Sequence, residues 1–224
     1  MYNLTIMKAD QQFPSFDDQF PELNQFILKL VDTYNAGKIN SWDDLEERVN
    51  AFFTPERMDE MEVALPGWQK MTSYSDGVTL THVMCVFLGL FMLPEFLTLT
   101  PSQRGLMKWI ILLHDIEKEY KNGKKDHTHA VRSAKAAANL LPAFGFGKTS
   151  EYDLLINDWS QLTISTVTMA GGSSDFIQDN HKLPEILSGI EALFDKDSPA
   201  ALIVKIVHCT CPSMWWMIGP RPHP

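Results

Sequence analysis

An apolar helix with a written start runs straight into a histidine and an aspartate, and no other stretch constrains the fold as much. Thr100-Pro101-Ser102-Gln103 supplies an N-cap threonine, a proline at the first helical position and a glutamine at the capping-box position. Leu106, Trp109, Ile110 and Leu113 follow at helical spacing, and the chain then reads His114-Asp115-Ile116-Glu117-Lys118. An imidazole and a carboxylate closing an apolar helix are expensive to bury unless something neutralises or binds them. A divalent metal does so, because neutral imidazole and carboxylate are standard ligands for it.

The rest of the chain carries the same helical punctuation. Thr54-Pro55-Glu56 and Ser198-Pro199-Ala200 repeat the cap-plus-proline signal, and Ser41-Trp42-Asp43-Asp44 sets acids in a first turn, where the helix dipole favours them. The pattern predicts helices near 22–36, 42–52, 55–63, 78–92, 102–115, 127–141, 151–169, 183–194 and 199–209, with residues 1–20 irregular. Loops are expected at 73–77, 121–126, 142–150 and 171–180. Strand alternation, internal repeats and low-complexity segments are lacking, so the sequence predicts an all-α protein. The small-residue run Ala130 to Ala138 predicts a helix lying deep in the bundle, since small residues let helices approach closely.

Bulk properties narrow the function classes. With 224 residues the chain can bury a sizeable core in one domain. The formal net charge of −9 argues against a broad nucleic-acid-binding surface. Lys118, Lys121, Lys124 and Lys125 form a local basic patch, which reads first as a solvated loop. The longest apolar run, residues 83–93, is too short to span a bilayer, and no signal peptide is written at the N-terminus. Cys85, Cys209 and Cys211 are odd in number and make no disulfide framework, so a reducing cytoplasm is the expectation.

Two further histidines flank the His-Asp pair. His82 lies in the apolar run Val78 to Leu93, and His129 opens the small-residue helix. Alone, each histidine reads as structural before catalytic, His82 as a satisfied core residue; the doublet is what gives them a common purpose. With His82, the His114-Asp115 doublet in "LLHDIEK" and "HAVRSA" from His129, residues 78–209 resemble the HD superfamily of metal-dependent phosphohydrolases. The resemblance implies an HD-type helical bundle with additional N-terminal helices: an extension over 1–70, an HD-like domain over 71–212 and an irregular tail over 213–224. It departs from the family pattern at Glu117, where glycine is usual, at 166–172, where no ligand stands, and at His208, which falls where the closing aspartate is expected.

The implied metal ligands are His82, His114, Asp115 and His208, with Asp197 a weaker rival for the last. Their mixed nitrogen and oxygen donors admit manganese, iron, cobalt, nickel or zinc. The implied reaction is hydrolysis of a phosphomonoester, nucleotide or cyclic nucleotide by a metal-bound water. Asp115, Glu117, Lys118 and His129 are the implied catalytic set. Lys118 or Arg132 would hold a substrate phosphate, and Glu117 or Asp126 would orient water or a ligand histidine. The missing closing aspartate leaves a second expectation open: a catalytically impaired member of the fold that binds a nucleotide or a protein.

Overall fold

The computed structural model describes residues 13–73, 78–119, 126, 128–170 and 183–209, with side chains throughout except at 73 and 164–170. The sequence expectations for Lys121, Lys124, Lys125, His127, Cys211, His181, His223 and the C-terminal tail lie outside these residues. Twelve α-helices are described: α1 (Phe16–Gln19), α2 (Pro21–Asn35), α3 (Trp42–Phe52), α4 (Pro55–Ala64), α5 (Trp68–Ser73), α6 (Val78–Met92), α7 (Pro94–Thr98), α8 (Pro101–Leu113), α9 (His129–Leu140), α10 (Tyr152–Ala170), α11 (Leu183–Phe194) and α12 (Pro199–Cys209), and a short 3-10 helix, Leu141–Phe144, follows α9. No strand occurs among the described residues, so the protein is all-α. No described helix is long and apolar enough to cross a membrane.

The predicted caps form as written. Thr100 and Gln103 make the reciprocal capping box of α8, Ser41 accepts from the Asp44 amide, and Thr54 accepts from the Arg57 amide. Ser198 caps α12 by accepting from the Ala201 amide at 3.1 Å. Three short α-helices were not anticipated. Part of the supposedly irregular N-terminus coils into α1, because Phe16 is drawn fully beneath Phe87 and Trp109. Glu62 starts α5 from a distance in sequence: its carboxylate accepts the Gly67 and Gln69 amides at 2.9 and 2.7 Å. Gly67 makes that turn at φ +104°, where a side chain would be strained. The third is α7, a single turn begun by Pro94.

One continuous apolar core runs from Phe16 to Val207, so the N-terminal helices share it with the rest of the chain. α1 packs on α8, while α2 and α3 pack on α6. The buried Lys108 of α8 reaches back to Asp17 at 2.6 Å and Asn24 at 2.8 Å, which gives its charge a partner and anchors α1 and α2. α9 lies deep, as its alanines predict: Ala130, Ala134, Ala137 and Ala138 are buried, and α12 packs most extensively against this helix. α12 also packs on α8, and α6 and α9 each pack on α8, so the helices that carry His82 and His129 both neighbour the helix that leads into His114.

Candidate metal centre

α8 stops at Leu113, two residues earlier than its apolar pattern suggests. The Lys118 amide closes a turn on the Asp115 carbonyl at 2.7 Å, and the His114 ring bonds the Ile111 carbonyl at 2.6 Å. That carbonyl is one of those a helix end leaves without an amide partner. Because a carbonyl only accepts, Nδ1 of His114 carries a proton, and Nε2 is the ring nitrogen turned to Asp115. The helix end thus orients the ring.

Nε2 of His114 and Nε2 of His82 each lie 3.5 Å from the same carboxylate oxygen of Asp115, Oδ2. The two rings stand 5.6 Å apart at 62°. One ligand atom from each of His82, His114 and Asp115 lies within 4.8 Å of the others, a grouping able to hold a metal ion. Asp115 is 1% exposed and the two histidines are partly buried.

Protonation states follow from the surroundings. Burial is the largest influence on His82 and, with the nearby His114 and against the attraction of Asp115, pushes its pKa down to about 3. It is therefore neutral at physiological pH, as a ligand must be. Burial alone would raise the Asp115 carboxyl, but His114, the His129 hydrogen bond and Lys118 outweigh it and hold the group well below the usual range. His129 approaches the other oxygen, Oδ1, at 3.2 Å. Its Nδ1 donates to the Asp126 carbonyl, so a bond from Nε2 to a carboxylate requires the second ring proton. Burial would lower the pKa of His129; the hydrogen bond and charge of Asp115 overcome it and raise the value. With the His82 and His114 rings on one carboxylate oxygen and His129 on the other, the site has distinct ligand and proton-holding sides.

The remaining expected residues are placed as follows. The Lys118 ammonium is bonded to Asp115 Oδ2 at 2.6 Å rather than turned outward toward a substrate. Glu117 directs its carboxylate at Lys70 of α5, at 3.3 Å, and its amide donates to Ser133 of α9. Arg132 is not a free phosphate ligand: it holds Thr128 Oγ1 at 2.6 Å, the Glu117 carbonyl at 2.9 Å and the Asp126 carboxylate. Asp126 does orient a histidine, but with its backbone carbonyl; its carboxylate accepts the Glu119 and Thr128 amides at 2.9 and 3.2 Å. Lys70, Glu119, Thr128 and Ser133 were not foreseen, since contacts between α5, α9 and the segment after α8 leave no local pattern. Asp195 and Asp197 both take φ +64° in the turn before α12, consistent with loop roles.

His208 stands outside the His82–His114–Asp115 group. It is 5% exposed on α12, and neither ring nitrogen has a hydrogen-bond partner. Burial lowers its pKa to about 4 from an ordinary 6.5. The unfolded chain therefore takes up a proton below pH 6.5 that the folded chain refuses until about pH 4. In chelator, wild type is expected to lose about 3 kcal/mol more stability than His208→Phe between pH 7.5 and pH 4. Urea titrations at the two pH values measure this, and parallel losses in both proteins contradict it.

No family model, curated protein or solved structure matches this chain.

Proposed function

We propose that the chain is a metal-dependent phosphohydrolase with an HD-type bundle, acting on a phosphomonoester, nucleotide or cyclic nucleotide. The observation that carries this reading is the approach of His82 and His114, through Nε2, to one oxygen of a buried, ionised Asp115. The donor chemistry fits a divalent ion of intermediate softness: two imidazoles and a carboxylate suit manganese, iron, cobalt, nickel or zinc. Such an ion supplies a Lewis acid for phosphate oxygens and lowers the pKa of a water it binds.

The chain's own groups divide the remaining work. Asp115 and the Nε2 atoms of His82 and His114 would hold the cation. His129 keeps a proton on Nε2, positioned by the Asp126 carbonyl behind it, and can deliver it to a departing oxygen. Arg132 and Asp126 brace the start of α9 against the segment after α8, so that His129 and Asp115 keep their separation.

The test is turnover. Purified protein with manganese, cobalt or zinc is expected to hydrolyse at least one member of a panel of phosphomonoesters, nucleotides and cyclic nucleotides, to stop in chelator and to resume on adding metal. Absence of turnover across the panel, together with no retained metal, contradicts the proposal. A second reading, a non-catalytic nucleotide- or protein-binding member of the fold, is favoured by the position of His208 outside the ligand group. That protein would purify without metal and bind its partner unchanged after His114→Ala.

A further inference from the structure

Three nitrogens converge on Asp115 Oδ2, and the closest belongs to neither histidine. The Lys118 ammonium lies 2.6 Å from this oxygen, while the two imidazoles stand at 3.5 Å. We propose that Lys118 is the resident counter-ion of this carboxylate, that an incoming divalent cation displaces it, and that it thereby sets the metal affinity of the site. The inference rests on the reading of His82, His114 and Asp115 as metal ligands.

The oxygen occupied by the ammonium is the one that both imidazoles approach. A cation drawing on all three donors must take that oxygen, and two cations sharing it at such range repel strongly in a largely buried site. The lysine has somewhere to go. Its side chain is 31% exposed, whereas that of Asp115 is 2% exposed, so the ammonium can swing to water while the carboxylate stays. Its backbone need not follow, because the Lys118 amide is tied to the Asp115 carbonyl at 2.7 Å. With the ammonium in place, the buried carboxylate is compensated before any metal arrives.

Competition of this kind has a recognisable signature. The cost of moving the ammonium is the same whichever metal moves it. Removing the lysine should therefore tighten different divalent ions by a common factor.

Two measurements on the full chain test the proposal. The first labels wild type with an amine-acylating reagent, with and without manganese or zinc, and quantifies modification at Lys118 by peptide mass spectrometry against the exposed Lys38. Labelling of Lys118 is expected to rise several-fold with metal; an unchanged ratio overturns displacement. The second compares manganese and zinc affinity of wild type and Lys118→Met by calorimetry. The variant is expected to bind both ions about tenfold more tightly. Equal affinities overturn the proposal while leaving the metal-site reading intact. Failure of wild type to bind either ion at millimolar concentration removes that reading and the proposal with it. Should Lys118→Met fail to fold, the labelling ratio of the wild type decides alone. Labelling also separates displacement from a mere change of net charge, since it alters no residue.

Discussion

Asp115→Asn is expected to abolish metal retention and to reduce metal-dependent turnover on the order of 1,000-fold, a loss equivalent to about 4 kcal/mol of transition-state stabilisation. The amide keeps the shape of the carboxylate but gives up the charge on which Lys118, His129 and the two imidazoles converge. The same change should cost the metal-free protein about 3 kcal/mol at neutral pH. This is the low end for breaking a buried pair, because Lys118 can turn to water. The pH dependence has a definite sign on each side. The Asp115 carboxyl is depressed, so its contribution is present above its ordinary 3.8 and is lost as pH falls through the folded value. The His129 pKa is raised, so its contribution is full below its ordinary 6.5 and fades as pH rises through the folded value. The stability gap between wild type and Asp115→Asn should therefore be widest between these limits and narrow on either side. Denaturant titrations from acid to mildly alkaline pH, in chelator, measure it. A gap independent of pH would count against the assigned charges.

Trp109→Ala is expected to carry the largest purely structural penalty, about 3–5 kcal/mol. Trp109 is fully buried, and its ring meets Phe144 at 4.9 Å, Phe146 at 5.3 Å, Phe20 at 5.6 Å and Phe16 at 6.0 Å between centroids. Its indole N–H donates to the Pro14 carbonyl at 3.0 Å, so truncation also strips an acceptor of its partner. At roughly 2–4 °C per kcal/mol for a chain of this size, the midpoint should fall by about 10 °C. Trp109→Phe keeps most of the packing and loses the hydrogen bond, so it should cost about 1–2 kcal/mol. The residue lies on α8, whose end carries His114 and Asp115, and metal affinity is expected to weaken in the alanine variant more than in the phenylalanine one. A loss below about 1 kcal/mol for the alanine variant contradicts the central role given to this ring.

The longer helices were legible because their signals are local. Capping residues, prolines at the first helical position and apolar spacing all act within a turn or two, and the caps at Ser41, Thr54 and Thr100 formed as read. What escaped was tertiary. α1 exists because Phe16 is buried against residues far along the chain, and α5 begins on a carboxylate supplied by α4. The site divided in the same way. The convergence of His82 with the His114-Asp115 doublet was expected from the family resemblance these residues carry, and the fold brings them together. The orientation of neighbouring charged side chains was not legible. Arg132 closes on Asp126 and Glu117, and Lys118 turns back onto Asp115, because each satisfies a nearby partner that only the folded chain presents. The place of His208 was equally hidden, since helical spacing says which face a side chain occupies but not how far it lies from the end of another helix.

X-ray absorption spectroscopy of the protein loaded with one equivalent of zinc or manganese addresses the convergence of His82, His114 and Asp115 on a single cation most directly. A shell of nitrogen and oxygen donors is expected, with the multiple scattering of two imidazoles, reduced to one imidazole in His82→Ala. A shell without imidazole scattering, or a spectrum unchanged by His82→Ala, would contradict it.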